Sequence, residues 1–419
     1  MSLSIKAPVA KIIPHILSKH NNDRIDNYYW LNDRENPEVI NYLKQEKAFY
    51  DAATAVTKPF QESLFEEMKS RIKEDDESVP YFYNGYFYCT RFEKGKDYPI
   101  HTRKKECLSA PEEILFDCNE MAVGHAFFNL SGISISEDNK WVCFGTDTVS
   151  RRQYTIQIKN LETNEILPFK IENTTGGSTW ASDNKTIFYS RKDEVTLRPD
   201  KIFKHKLGTD ASLDKLVFYE KDATFDVSVY KSKSTKYIII TSSSTLTSEY
   251  RTVLSSAPDH KFTVFQKRKR GIEYSISHYN DTFYILTNKD NATNFKLMTC
   301  SINATSFDNW VDLIPHRNNV LLEGIDVFKN YLVISERFDG LNKIKIMPWK
   351  DSEGYYLPFD SETYTAFTTS NLDFNTEILR YGYQSMATPS SIIDFNMKTQ
   401  EKVVLKEQIV LGGTFDKAN

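Results

Sequence analysis

The residues of this sequence that come closest to a known catalytic arrangement are two serines beside glycines, Ser134 and Ser178. A hydrolase nucleophile elbow requires the pattern G-x-S-x-G, because glycines on both sides let the serine occupy a strained turn between a strand and a helix. The segments 132–136 (GISIS) and 176–180 (GGSTW) both lack the closing glycine. We therefore interpret both serines as turn residues between strands.

No other pattern predicts a catalytic, metal-binding or cofactor-binding site. The sequence has no phosphate-binding P-loop, no G-x-G-x-x-G fingerprint and no H-E-x-x-H zinc motif. No two of the eight histidines lie within four residues of each other, and the five cysteines are never spaced as C-x-x-C. We expect no catalytic residue, no bound metal and no cofactor.

Two groups of charged residues are candidates for contacts across a domain interface. Arg151 and Arg152 lie in a turn that opens a predicted strand, and guanidinium groups pair with carboxylates in bidentate geometry. Glu74, Asp75 and Asp76 belong to an acidic segment that is predicted to be a solvated hinge before the first strand. If these residues meet a partner domain, the contact should weaken as salt concentration rises.

The overall charge excludes a nucleic-acid-binding footprint. The formal net charge is −4 and the isoelectric point is near 6.1. The basic run 267–270 (KRKR) is followed at once by Gly271, and we interpret it as a solvated loop rather than as an anion-binding or localisation patch.

The sequence predicts a soluble cytoplasmic chain. No apolar run approaches the roughly 18 residues of a membrane-spanning helix, and the N-terminus has no signal-peptide core. An odd number of cysteines without a framework spacing predicts reduced, mostly buried thiols. We expect neither a membrane nor a nucleic acid as partner.

The elements that must position any functional residue are copies of one design. Residues 179–193 (TWASDNKTIFYSRKD) combine a polar turn, an apolar β-branched and aromatic run, and a charged turn, which predicts a strand between two turns. Seven such copies recur at intervals of 45–54 residues, and blades of β-propellers recur about every 40–50 residues. We expect a mainly β fold, a seven-bladed β-propeller; the alternative is a sandwich or barrel with hairpins at similar spacing by chance. The equivalent turn residues are Gly85, Asn139, Asn184, Thr235, Asp281, Asn330 and Thr376.

Two helices are predicted before the first copy. Asn36 as N-cap and Pro37 at the first helical position predict a start, and this helix should end near Ala55. A second helix begins near Thr57 and carries an apolar stripe at helical spacing, which must pack against something. The stripe consists of Phe60, Leu64, Phe65, Met68 and Ile72.

Several ordered segments resemble oligopeptidase B, the branch of the prolyl oligopeptidase family of serine peptidases that is specific for basic residues. The resemblance covers the chain from about residue 7 to its end. The segments that carry it are 24–31 (RIDNYYWL), Asp33, 35–39 (ENPEV), 71–76 (RIKEDD), 79–81 (VPY), 95–96 (GK), 98–100 (YPI), 151–155 (RRQYT), 188–189 (FY), 191–194 (RKDE), 313–317 (LIPHR), 335–337 (SER), 339–341 (DGL) and 388–391 (TPSS).

The resemblance implies a cytosolic serine peptidase that cleaves short peptides after Arg or Lys. In this family an α/β-hydrolase domain carries the catalytic Ser, Asp and His, and the propeller admits only peptides small enough to enter. The N-terminal segment packs with that hydrolase domain, which would cover the stripe of the second helix. The family's triad and the acidic residues that hold the substrate's basic side chain correspond to positions beyond residue 419, so none is assigned to this chain.

We therefore expect an N-terminal α-helical segment at 1–75, a seven-bladed propeller at 76–404, and at 405–419 a linker toward an α/β-hydrolase domain that is absent from the sequence. The expected function is the gating part of an oligopeptidase B-like enzyme, inactive alone because no residue can perform nucleophilic attack or oxyanion stabilisation. Its expected partners are the hydrolase domain and, in the whole enzyme, short basic peptides.

Two alternatives remain from other classes. One is a free-standing pseudoenzyme propeller that binds peptides or proteins. The other is a five-bladed glycosidase-type propeller, which would need inward carboxylates and which seven copies argue against. The sequence leaves open the oligomeric state, the origin of the truncation, the physiological substrates and whether the isolated propeller binds any ligand.

Overall fold

The computed structural model describes residues 6–350 and 353–413. These residues fall into two compact units. The first unit contains residues 6–73 and 410–413, and the second contains residues 74–409 with the exception of 351 and 352.

The first unit begins with a tight β-hairpin. β1 (His15–Lys19) pairs antiparallel with β2 (Asn22–Asp26). The two turn residues between the strands, His20 and Asn21, have φ angles of 56° and 58°. A two-residue turn with both residues in the left-handed region matches the right-handed twist of the flanking strands, which is why it closes a hairpin.

Both predicted helices are confirmed: α1 (Pro37–Thr54) and α2 (Lys58–Ser70). The Asn36 side chain caps α1 by accepting a hydrogen bond from the Glu38 N–H at 2.9 Å. Pro37 occupies the first helical position, where its missing N–H is not needed for the helix ladder.

The apolar stripe of α2 lies on the protein surface. Phe60, Leu64, Phe65 and Met68 lie in α2, and Ile72, predicted as part of the same helix, lies two residues beyond its end. All five are between 39% and 68% exposed, and no residue of α2 is buried. A contiguous apolar surface of this kind is typical of a face that another protein or domain covers.

The second unit is built almost entirely from β-strands, with one short helix, α3 (Cys118–Met121), after its fourth strand. In chain order the strands are β3 (Tyr81–Tyr83), β4 (Tyr86–Arg91), β5 (Ile100–Lys105), β6 (Glu112–Asp117), β7 (Asn129–Ile135), β8 (Trp141–Asp147), β9 (Tyr154–Asn160), β10 (Ile171–Trp180), β11 (Thr186–Lys192), β12 (Pro199–Lys206), β13 (Lys215–Tyr219), β14 (Asp226–Lys231), β15 (Tyr237–Ser244), β16 (Thr247–Leu254), β17 (Thr263–Gln266), β18 (Tyr274–Tyr279), β19 (Thr282–Thr287), β20 (Lys296–Ser301), β21 (Val311–Ile314), β22 (Val320–Val327), β23 (Tyr331–Phe338), β24 (Leu341–Pro348), β25 (Tyr355–Tyr356), β26 (Tyr364–Thr368), β27 (Ile378–Ser385), β28 (Ser391–Asn396) and β29 (Lys402–Glu407).

The prediction of seven blades is wrong. Within the described part of the second unit, five antiparallel sheets have four consecutive strands each: β3–β6, β14–β17, β18–β21, β22–β25 and β26–β29. Strands β7–β13 form a single seven-stranded sheet. The propeller therefore has five four-stranded blades, and the sequence copies at Asn139 and Asn184 belong to one continuous sheet.

The two copies merge because β10 serves both of them. Its first half pairs with β9, at Ile171 and Thr174, and its second half pairs with β11, from Thr174 to Trp180. The register shifts between Thr174 and Ser178, so the strand changes partner without leaving the sheet. A repeat in the sequence cannot reveal a shared strand, since turns and apolar runs have the same spacing in either arrangement.

Close backbone contact between glycines makes this join possible. A Cβ atom on Gly132 of β7 would lie 2.1 Å from the carbonyl oxygen of Gly176 of β10. The φ angles of the two residues are 66° and 88°, which other residues rarely adopt. Neither the space nor the backbone angle admits a side chain at Gly132.

Neighbouring sheets share apolar cores. For example, Tyr88 and Phe116 of the β3–β6 sheet pack with Val142 and Phe144 of β8, and all four side chains are at most 5% exposed. The rings of Phe116 and Phe144 lie 4.6 Å apart, and such aromatic pairs add to the free energy gained from burial alone.

The polar turns recognised in the sequence converge at one end of the propeller. Gly85, Asn139, Asn184 and Thr235 all have positive φ angles, between 54° and 82°. These turns join β3 to β4, β7 to β8, β10 to β11 and β14 to β15. The Asn84 side chain donates a hydrogen bond to the Glu137 carbonyl of the next sheet at 2.8 Å. We call this the first-turn end. The loops that follow the second of each such pair of strands, as between β4 and β5 or between β8 and β9, lie at the opposite end, which we call the second-turn end.

Replacing Gly132 by alanine should destabilise the join at β10. The added methyl meets backbone atoms that cannot move aside, which costs about 1–3 kcal/mol by overpacking, and the left-handed angle adds roughly 1 kcal/mol more. Urea unfolding of Gly132→Ala measures the loss. Gly177→Ala is the matched control, because a Cβ there has no atom within 4 Å and no positive φ is required. Equal midpoints for the two variants would contradict this account.

Candidate functional site

Arg151 and Arg152 lie in the loop between β8 and β9, at the second-turn end, and both are exposed. The loop is held by Asp147, the last residue of β8, which is 2% exposed. Its Oδ1 accepts hydrogen bonds from the N–H groups of Val149 (2.9 Å) and Ser150 (3.1 Å), and its Oδ2 accepts one from the Arg152 N–H (2.7 Å). A buried carboxylate thus fixes the backbone that carries both guanidinium groups.

The acidic candidates make contacts inside the second unit. Asp76 Oδ2 pairs with Lys406 Nζ at 2.7 Å, and Glu74 Oε2 accepts a hydrogen bond from the Gly95 N–H at 3.2 Å. Asp75 is exposed. Because Lys406 lies in β29 and Asp76 precedes β3, the Asp76–Lys406 pair joins the last blade to the first.

Topology brings the two predicted groups to the same end of the propeller. The Asp76 carbonyl accepts the Phe92 N–H at 2.7 Å, which places the acidic segment beside the end of β4. Arg151 and Arg152 follow the end of β8, the equivalent strand of the next sheet. Their role at a domain interface stays a prediction.

The interpretation of the basic run 267–270 is wrong for Arg268. The Arg268 side chain reaches Glu220, with Nη2 at 2.7 Å from Oε2, and its guanidinium lies 4.1 Å from the ring centroid of Phe225. The backbone N–H of Arg268 donates to Oε2 of Glu249 at 2.9 Å. Both glutamates are nearly buried, at 3% and 5% exposure. Sequence reasoning missed this pair, because Glu220 lies 48 residues from Arg268 along the chain. The other three side chains of the run are exposed: Lys267, Lys269 and Arg270.

A cavity of about 580 Å³ opens at the first-turn end. Asn84, Glu137, Lys233, Asp373 and Phe374 are among its lining residues, and they come from four different sheets. In a propeller such a place is one end of the central channel.

Two lysines at the end of β14 form ion pairs with carboxylates of other sheets: Lys231, the last residue of the strand, and Lys233, which lines the cavity. Lys231 Nζ lies 2.5 Å from Glu137 Oε1 of the seven-stranded sheet. Lys233 Nζ lies 2.6 Å from Asp326 Oδ1 and 3.5 Å from the ring centroid of Phe328. Asp326 belongs to β22, so Lys233 reaches past the intervening β18–β21 sheet. Burial lowers the pKa of both lysines, although their carboxylate partners oppose the shift.

His278 lies in a nearly closed site between two blades. It is 5% exposed, its Nδ1 lies 2.8 Å from Oγ of Ser234, and its ring packs edge-on against Tyr237. Burial lowers the pKa of His278 to about 4, so the imidazole is neutral at physiological pH.

The interpretation of Ser134 and Ser178 as turn residues between strands is wrong, because both lie within strands. Ser134 lies in β7 and Ser178 in β10, where it pairs with Tyr189 of β11.

Among residues 6–350 and 353–413, no group of three or more His, Cys, Asp and Glu side chains is arranged to hold a metal ion. No helix in these ranges has the length and apolar character to cross a membrane.

Comparison with known proteins identifies the family. Residues 8–408 match the family described as "Prolyl oligopeptidase, N-terminal beta-propeller domain". The chain therefore belongs to the prolyl oligopeptidase family, and it corresponds to the propeller portion of these peptidases. The resemblance to oligopeptidase B seen in the sequence is confirmed.

Individual relatives agree with this assignment. The chain is 38% identical to dipeptidyl aminopeptidase BI of Pseudoxanthomonas mexicana over 417 residues, covering 95% of this chain and 57% of the relative. It is 32% identical to protease 2 of Moraxella lacunata over 415 residues, covering 97% of this chain and 59% of that relative. The chain thus spans somewhat less than two thirds of the length of the relatives it matches.

Solved structures support the same fold. Oligopeptidase B from Leishmania major superposes with a TM-score of 0.91, and oligopeptidase B from Trypanosoma brucei, solved in a closed form with covalently bound antipain, superposes with 0.92. Each is 28% identical in sequence, and the match covers 99% of this chain and 62% of the other.

Removing Asp326, the ion-pair partner of Lys233, should lower the free energy of unfolding. Asp326→Ala leaves a mostly buried ammonium group without its carboxylate, and we expect a loss of about 2–3 kcal/mol, near the lower limit for a broken buried ion pair because both side chains keep some exposure. Urea unfolding measures the difference. The control is Glu162→Ala, which removes an exposed pair with Lys140 (53% and 65% exposed) and should cost less than about 1 kcal/mol. Similar losses in both variants would contradict a special role of the Lys233 contact.

Acidification should destabilise the protein through His278. The native state keeps this imidazole neutral until about pH 4, whereas the unfolded chain takes up the proton near its ordinary pKa of about 6.5. Between these values the free energy of unfolding falls by up to about 1.4 kcal/mol per pH unit for one extra proton bound by the unfolded state. In His278→Gln this contribution should disappear from a pH series of denaturation curves. His260→Gln, which changes an exposed histidine, should leave the slope as in the wild type; identical slopes for all three proteins would refute the assignment.

Proposed function

We propose that this chain is the propeller part of a cytosolic serine oligopeptidase that cleaves short peptides after Arg or Lys. The observation that carries the proposal is the superposition on two oligopeptidase B structures over 99% of the chain at 28% identity. In this proposal an α/β-hydrolase domain supplies the Ser, Asp and His of the triad, and the propeller restricts which peptides reach it.

The proposed layout assigns residues 1–75 to a helical segment that docks on the hydrolase domain, 76–404 to the propeller, and 405–419 to a linker. The exposed stripe of α2 supports such docking, because Phe60, Phe65 and Ile72 are each more than half exposed. Covering apolar surface contributes about 25 cal/mol per Å², so five such side chains give the docked state a substantial preference.

The second-turn end is the proposed docking surface on the propeller. Arg151, Arg152, Glu74 and Asp75 offer charges there, while Asp76 already pairs with Lys406 and holds the ring closed. At the opposite end, Lys233 lines the cavity and is held there by its pair with Asp326, an arrangement that would restrict passage. Peptides would then reach the catalytic site mainly when the domains separate, a step that exposed ion pairs make sensitive to salt.

A second candidate activity is removal of dipeptides from peptide N-termini. It is favoured by the relative at 38% identity that bears the name dipeptidyl aminopeptidase BI. Both candidates use the same propeller and the same reaction class, and they differ in which end of the peptide is recognised.

The state of the cysteines supports a reducing compartment. All five are free thiols; Cys118, Cys143 and Cys300 are buried. Burial raises the pKa of Cys143 to about 12, so its thiol stays protonated and unreactive. Structural disulfides are rare in the cytosol, and free buried thiols fit that location.

Substrate assays separate the candidates. The 419-residue chain and the product of the full reading frame that encodes it are each incubated with a fluorogenic peptide carrying a blocked N-terminus and Arg before the scissile bond. We expect cleavage by the full product, abolished by an active-site serine reagent, and none by the 419-residue chain, whose mass is checked intact. The controls are the same peptide with Gln in place of Arg and a dipeptide substrate with a free N-terminus. Cleavage of only the free-amine substrate would favour the dipeptidyl activity, and turnover by the chain alone would overturn the non-catalytic role.

A further inference from the structure

The loop that carries Arg151 and Arg152 is unusually well fixed for a surface loop. Ser150 and Arg152 have φ angles of 65° and 55°, in the left-handed region that non-glycine residues adopt only where the surroundings impose it. Asp147 imposes it, because its two carboxylate oxygens together accept three backbone N–H groups of the loop. One buried side chain, that of Asp147, therefore keeps the loop backbone in this conformation.

A third cation joins the loop from the neighbouring strand ladder. Lys192, at the end of β11, donates a hydrogen bond from Nζ to the Arg152 carbonyl oxygen. The Asn173 side chain in turn hydrogen-bonds the Lys192 carbonyl at 3.0 Å, which fixes this part of β11. Lys192 thus lies beside the loop that carries the two exposed arginines.

At the β8–β9 loop, the cationic side chains outnumber the acidic side chains. Asp147 is the one acidic side chain that contacts the loop among the described residues, and all of its hydrogen bonds go to backbone amides rather than to the cations. Burial and the Arg152 guanidinium lower the pKa of Lys192, the second through like-charge repulsion, while the Asp147 carboxylate partly opposes this shift. Of the nearby acids, Asp193 accepts the N–H groups of Val195 and Thr196 in its own turn. Glu194 is exposed.

We propose that the loop between β8 and β9, together with Lys192, is a preorganised carboxylate-binding site, and that Asp147 is its positioning residue. The inference rests on the proposed function and deepens it: the ligand is a carboxylate presented at the second-turn end. Two guanidinium groups and an ammonium group suit a carboxylate, because guanidinium binds it through two parallel hydrogen bonds and ammonium adds a point charge. Because the backbone is ordered before binding, the ligand does not have to order it.

A carboxylate can come from a Glu or Asp side chain of a docked domain or from the C-terminus of a peptide. Two probes distinguish these sources: acetyl-Gly-Glu-Gly-amide presents a side-chain carboxylate, and acetyl-Gly-Gly-Gly with a free C-terminus presents a main-chain one. Acetyl-Gly-Gln-Gly-amide is the uncharged control. Binding to the full 419-residue chain is followed by amide chemical shifts of residues 147–153 in an isotope-labelled sample.

We expect the carboxylate probe of the correct source to bind at least about tenfold more tightly than the Gln control, which corresponds to the loss of one charge-assisted contact. Asp147→Asn keeps an acceptor for Val149 and Ser150 but places an NH₂ group opposite the Arg152 N–H. It should weaken binding about tenfold and speed hydrogen exchange at the Arg152 amide, since a tenfold change corresponds to one lost contact of this size. Arg152→Gln should abolish the difference between the probes.

Asp183→Asn is the matched control. Asp183 also accepts two backbone N–H groups in a turn, those of Lys185 and Thr186, but it lies at the first-turn end. Its substitution should leave probe binding unchanged. Equal binding of the Glu, free-acid and Gln probes would overturn the site. Faster exchange in Asp147→Asn with unchanged binding would reduce Asp147 to a structural role. Neither result depends on peptide cleavage, so the proposed function can fail or hold independently.

Discussion

Closure of the ring of sheets is the constraint on which the second unit depends. Among the described residues each sheet consists of consecutive strands, and no strand from one end of that range is inserted into the sheet at the other end. The join between β26–β29 and β3–β6 relies instead on side chains. Lys406 pairs with Asp76 at 2.7 Å, and Arg380 donates to the Pro80 carbonyl at 2.7 Å while it also binds Asp394. Partly exposed charge contacts contribute only about 0–1 kcal/mol each, so this join has far less support than the backbone ladders within the sheets.

The two ends of the ring differ in how part of their charge is used. At the first-turn end, Lys231 and Lys233 are matched with carboxylates of other sheets, and the contacts tie distant parts of the ring together across the channel. At the second-turn end, Asp76 is likewise paired with Lys406, but the buried carboxylate of Asp147 binds backbone amides and the arginines of the β8–β9 loop are exposed. The first arrangement favours a stable, closed end, whereas the second leaves charge for a partner.

The sequence predicted what depends on neighbours along the chain and missed what depends on distant ones. The start of α1 at Asn36 and the left-handed turns at Asn139 and Asn184 were readable, because capping and turn chemistry involve residues two to four positions apart. The number of blades was predicted wrongly, because a strand shared between two copies leaves the repeat unchanged. Likewise, the two candidate arginines were found by composition, but Asp147 was not, because a single aspartate after a strand has no distinctive pattern.

Arg268 shows why burial decides what a basic run does. Four consecutive cations predict a solvated loop by composition alone, yet Arg268 turns toward the buried carboxylate of Glu220 and pairs with it at 2.7 Å. An unpaired buried carboxylate costs far more than the ordering of one arginine side chain, so the inward orientation of Arg268 is the one with the lower free energy. Lys267, Lys269 and Arg270 follow the end of β17, lie outside any strand and are exposed. The same logic links Asp147 to Arg151 and Arg152: at this end of the propeller, the positions of the exposed cations are set by carboxylates that solvent does not reach.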